Sequence, residues 1–196
     1  MAPELLGVAS AFGLASAAGL NTTLPLLLVG LLSRFGALSL AAPYDAVGSD
    51  IALVGLGLLV ALELAADKVP GLDSLVQAIQ WPLTLAAGAI LFASQQSIIT
   101  EVSPGLAVLV GVLTAGGVHA LRTAVRPAVT ASTLGLGNAA VSAIEDLLST
   151  GLVVVAVLAP LLIPAAFVAL ALAGLLLVRQ IARRMLGRGH GLGVAR

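Results

Sequence analysis

The sequence predicts an all-α membrane protein: six transmembrane helices forming two inverted three-helix repeats, with a kinked first helix. Three observations carry that expectation. The chain is 60% hydrophobic and only 9% charged, with a mean hydropathy of +1.15, so its surrounding medium is read as lipid. Its apolar runs recur from end to end and lack the two-residue alternation of barrel strands, so they read as helices that satisfy their own backbone groups. Short matches between the two halves fall in the same order in each. "AAGLN" aligns with "AGGVH", "GS" with "GN", and "PLTLAAG" more loosely with "PAAFVAL". An odd number of spans per repeat places the halves in opposite orientations.

The spans are expected near 5–33, 49–66, 75–97, 105–125, 139–159 and 161–183. They make a single polytopic domain over 1–196, with repeat one at about 5–98, repeat two at about 104–186 and a basic cytoplasmic tail at 187–196. The first span contains "GLASAAGLNTTLPLLLVGLL". Pro25 cannot donate to the carbonyl of Asn21, its ring crowds that turn, and Gly19 weakens the helix just before it. A kink or break near Asn21 follows. In lipid the freed carbonyls need partners, so such a break belongs where protein or a water-filled cavity covers it. The N-terminus "MAPELLGVAS" has no basic flank, so the first segment is expected to stay rather than be cleaved as a signal. The stretch around Tyr44 is too polar and too punctuated by Pro and Gly to span, and reads as a short surface cap.

In the second span Glu63 and Asp67 stand four residues apart and share a face. Asp67, Lys68 and Asp73 read as a solvated loop. The fourth span carries Gly116, Gly117 and His119, which the repeat aligns with the weak point of the first. Interrupted segments at matching positions of two halves point to a transporter's central site, whereas small residues that merely let helices pack closely are the plain alternative. The fifth span opens at Asn138 and carries Ser142, Glu145 and Asp146 about two turns in, with Ser149 and Thr150 nearby. An ionised carboxylate facing lipid costs several kcal/mol, so Glu145 and Asp146 are expected to face the bundle interior. Asp146 is read as the member that faces a cavity, and Glu145 as the one held by Arg122, Arg126 or His119. The candidate substrate- or ion-binding set is therefore Asn21, Thr22, Thr23, Glu63, Gly116, Gly117, His119, Asn138, Ser142, Glu145 and Asp146.

Charge sets the expected orientation. Six spans put both termini on one face together with the loops "DKVPGLD" and "RTAVRPAVTASTLGLGN". That face holds Lys68, Arg122, Arg126, Arg179, Arg183, Arg184, Arg188 and Arg196, against Arg34 alone on the other. It is expected to be cytoplasmic, in a bacterial inner membrane.

Several classes are excluded or disfavoured. With no cysteine there is no disulfide, thiol nucleophile or Cys-ligated metal. There is no Walker A sequence, no G-x-G-x-x-G opening a strand and helix, no H-E-x-x-H and no G-x-S-x-G, so neither an ATP-driven pump nor an enzyme is expected. No cofactor and no metal are expected, and His190 has no neighbouring ligand. The basic tail lacks aromatic residues for base stacking, so membrane headgroups rather than nucleic acid are its expected partner. Small residues at four-residue spacing, such as Gly13/Ala17, Gly57/Ala61 and Gly111/Ala115, make a homo-oligomer conceivable.

The run "AAGLNTTLPLLLVGLLSRFG" through "LVALELAADKVPGLDSLVQAIQWPLTLAAGAIL" and "GGVHALRTAVRPAVTASTLGLGNAAVSAIEDLLSTGLVVVAVLAP" resembles the bacterial membrane family catalogued as Domain of Unknown Function 4126. Its most specific pieces are "E-x-x-x-D-K-x-P-G-x-D" from Glu63 and "S-x-x-E-D" from Ser142. The resemblance implies a small multi-span protein and carries no activity with it. From the residues, the expected function is a small inner-membrane secondary transporter or permease, proton- or cation-coupled, acting on an unknown small solute or ion. A passive channel or lipid-handling protein, or a non-transporting structural or assembly protein, is the alternative.

Overall fold

The computed structural model describes residues 2–66, 73–95, 103–133 and 137–169. Its elements are α1 (Ala2–Leu20), α2 (Thr23–Arg34), a 3-10 turn (Tyr44–Gly48), α3 (Asp50–Ala66), α4 (Asp73–Ala93), α5 (Pro104–Thr133) and α6 (Asn138–Leu158). The chain is helical again over 162–169. There is no strand among the described residues, only an isolated bridge between Leu40 and Gln95. Two of the helices, over Pro104–Pro127 and Ala140–Leu158, are long and apolar enough to cross a membrane.

α1 sits at the centre because its side chains are small. Ala9, Ala11, Ala15, Ala17 and Ala18 are all buried, which lets α4, α5 and α6 each pack directly on it. The tightest helix pair is α4 on α5. There Gly88 lies so close to α5 that a Cβ on it would stand 2.7 Å from the carbonyl oxygen of Gly111 and collide with Ala115. α2 and the 3-10 turn pack against α3 on the flank of this core. Large apolar side chains cover the outer faces, among them Ile51, Val54 and Leu58 on α3, Leu109, Leu113 and Leu121 on α5, and Leu147 and Leu158 on α6.

The break expected near Asn21 is present: the span expected over 5–33 is two helices, separated at Asn21 and Thr22. The fourth span does not end near Val125: α5 continues through Pro127 to Thr133, so much of the expected loop is helix. Arg122 and Arg126, four residues apart on one face, both grip Glu145 of α6, and this holds the extra turns against the bundle. Those two arginines are therefore buried bundle residues rather than loop charges. Finally, Gly13 and Gly111, two of the small residues considered for self-association, are used inside the molecule, Gly13 against Ala156 and Gly111 against α4, whereas Gly57 faces open space.

Candidate functional site

The break between α1 and α2 follows from three backbone donors. The amide of Asn21 closes the last turn of α1 on the carbonyl of Ala17 at 3.0 Å. The next amides turn away: Thr23 and Leu24 both donate to the side-chain oxygen of Asn21, at 3.1 and 2.9 Å. Pro25 has no amide hydrogen. Asn21 thus caps α2 with its side chain, a role its short polar group performs well. The carbonyls of Gly19, Leu20 and Asn21 lose the donors that a continuous helix would bring them. That of Gly19 faces the ring of His119.

The polar side chains of the break reach carboxylates on either side. The Asn21 amide group donates to Asp146 on α6 at 2.8 Å. Thr23 donates its hydroxyl to Glu63 on α3, and the amide of Gln80 on α4 donates to the other oxygen of the same carboxylate. Between them Thr22 shares a hydrogen bond of 2.5 Å with Thr84 on α4. Thr84 stands 3.5 Å from Nδ1 of His119, and the His119 ring meets the edge of Trp81 with 4.8 Å between centroids. His119 is 1% exposed, and its Nε2 is buried without a partner in hydrogen-bond geometry.

A turn further along α5, Nε of Arg122 lies 2.8 Å and a terminal nitrogen of Arg126 2.5 Å from one oxygen of Glu145, with all three side chains about nine-tenths buried. Ser149 donates to the carbonyl of Ala17 at 2.9 Å and ties α6 to the end of α1. The result is a polar seam through an otherwise apolar bundle, drawing on all six helices α1–α6 and centred on the break. Beside it a cavity of about 130 Å³ opens between α3 and α4, with Thr22, Thr23, Glu63 and Gln80 at its polar end. No group of three or more His, Asp or Glu that could hold a metal ion occurs among the described residues.

A model of the family described as Domain of unknown function (DUF4126) matches residues 8–180. The chain belongs to that family. The match covers every residue of the seam in this DUF4126 protein. No curated protein and no solved structure matches the chain.

The seam unites Asn21, Thr22, Thr23, Glu63, His119, Glu145 and Asp146. Ser142 is buried one turn before Asp146. The helix runs unbroken through Gly116 and Gly117, so the matching weak point expected in the second half is not a break. Gly116 packs near Leu85, while Gly117 faces open space. The side chains of Asn138 and Asp73, and all of Asp67, Lys68 and the tail with His190, lie outside the described residues. Sequence reasoning missed Gln80, Trp81 and Thr84. Gln80 and Thr84 are a polar pair four residues apart within an apolar span, and that spacing is the signal that they share an inward face.

Proposed function

We propose that this DUF4126 protein is a small secondary transporter or permease embedded in a membrane, coupled to protons or another cation. One observation carries the reading: the break in the first span is gripped on one side by Asp146 through Asn21 and on the other by Glu63 through Thr23. A helix interruption lined by ionisable groups is costly in lipid, and it persists where it handles ions or solutes. The apolar outer faces of α3, α5 and α6 support a lipid setting, because a surface so rich in exposed Leu, Ile and Val is a liability in water.

The packing suggests how coupling would operate. α2, the 3-10 turn and α3 form one unit, α1, α4, α5 and α6 another, and Asn21–Thr22 is the connection between α1 and α2. Asn21–Asp146, Thr22–Thr84 and Glu63–Gln80 are hydrogen bonds that join the break and the first unit to the second. Protonation of Asp146 or Glu63, or a cation at Asp146, changes the strength of the bridges to these two carboxylates, because hydrogen bonds to an ionised carboxylate are about twice as strong as neutral ones. The two units then shift about the break.

The test is solid-supported membrane electrophysiology on proteoliposomes, with amino acids, carboxylates, alkylamines and inorganic cations supplied in turn. At least one class should evoke a transient current that scales with an imposed proton or sodium gradient, and Asp146→Asn should abolish it while eluting as a folded protein. Silence from folded wild-type protein with every class, or an unchanged current in the variant, overturns the proposal.

A further inference from the structure

The cavity between α3 and α4 has two chemically different ends. Its walls are Leu59, Leu62, Ile79 and Leu83, and its inner end is the carboxylate of Glu63 with the Thr23 and Gln80 groups that donate to it. Two of the wall residues, Leu62 and Ile79, are 66% and 63% exposed, so the mouth lies on the apolar outer face of the molecule. We infer that this cavity is a binding site for a small hydrophobic ammonium ion, with the ammonium on Glu63 and the hydrocarbon against the leucines and isoleucine.

Volume, charge and the apolar walls select that ligand. The volume of about 130 Å³ is close to the roughly 150 Å³ of an apolar cavity that admits benzene, so about six carbons fit. The carboxylate rewards a charged donor: an N–H on a cation makes a shorter and stronger bond to it than a neutral hydroxyl does, and an anion is repelled. A bare metal cation is disfavoured by the same walls, since aliphatic side chains supply none of the oxygen ligands that sodium-like or calcium-like ions need. The site thus takes both halves of an amphipathic amine and satisfies neither a sugar nor an inorganic ion. The identification of such an amine as cargo rests on the carrier reading above; its binding does not.

Trp81, the sole tryptophan, follows Gln80 directly and is the natural reporter. Protein in nanodiscs of uncharged phosphatidylcholine is titrated with cyclohexylammonium, cyclohexanol and cyclohexanecarboxylate while Trp81 fluorescence is recorded. Cyclohexylammonium should give a saturable change at a concentration at least tenfold below either control. Glu63→Gln should weaken it at least tenfold, which corresponds to about 1.4 kcal/mol. Leu83→Phe, which fills the cavity and leaves the carboxylate in place, should weaken it likewise and serves if Glu63→Gln does not fold. Equal response to all three compounds, or wild-type affinity in both variants, overturns the inference. Uptake of labelled cyclohexylammonium into proteoliposomes separates the two proposals. Saturable binding without uptake upholds this site and counts against the carrier, whereas gradient-driven current with another solute and no ammonium binding upholds the carrier and removes this site.

Discussion

Glu145 and Asp146 are adjacent in sequence, yet a step of about 100° around the helix gives them different neighbours. Of the three partners that the sequence offered Glu145, it takes Arg122 and Arg126 and leaves His119 to Thr84 and Trp81. Two buried guanidinium groups on one carboxylate make that carboxylate hard to replace. Its removal leaves cations with a weaker partner in a region where water cannot compensate them, a loss on the order of 3–5 kcal/mol. Asp146 accepts from the neutral amide of Asn21, and an asparagine there keeps an oxygen to receive the same hydrogen, so the change to this bond should cost about 1 kcal/mol or less. Glu145→Gln is therefore expected to lower the thermal unfolding midpoint in detergent by far more than Asp146→Asn. A larger loss from Asp146→Asn would mean that the acidic pair has its roles reversed.

At the scale of the element, the divided first span has two causes that substitutions separate. Pro25 removes one backbone donor, whereas Asn21 diverts two others to its own side chain. Replacing the proline restores a single donor and leaves the cap in place. Asn21→Ala deletes the cap, worth about 1–2 kcal/mol, together with the donor to Asp146. By hydrogen exchange, the amides of Thr23 and Leu24 should lose about fivefold or more of their protection in Asn21→Ala and keep it in Pro25→Ala. Similar protection in both variants would show that the proline alone divides the helix. This break was legible in the sequence because Asn and Pro act through local backbone chemistry. The extension of α5 was not: Pro127 lacks a backbone donor and crowds the turn before it, and the grip of Arg122 and Arg126 on another helix holds that turn in place. The polar face of α4 was missed for a similar reason, since Gln80 and Thr84 acquire meaning only from Glu63, Thr22 and His119 on three other segments.

The molecule as a whole offers a test of its proposed layout. In an inverted repeat of three plus three spans, the third span of each half stands in the same relation to the first span of the other. α4 packs on α5, and the corresponding contact is made by the stretch 162–169, where Ile163 packs against Gly13 of α1. The break in α1–α2 has no counterpart in α5, which runs unbroken through Gly116 and Gly117. Orientation rests on charge, and with Arg122 and Arg126 buried what remains is Lys68 with Arg179, Arg183, Arg184, Arg188 and Arg196, against Arg34, which pairs with Asp50 at 2.8 Å on the surface. Juxtamembrane Lys and Arg still favour one side, because loops rich in them resist translocation. Tags at the N-terminus and the C-terminus should therefore both report the cytoplasm, while a reporter inserted beside Asp45 in the 3-10 turn should report the opposite face. A C-terminal reporter active outside would require an odd number of crossings. It would remove the inverted repeat, and with it the argument that Asn21 and His119 occupy related places on either side of one central site.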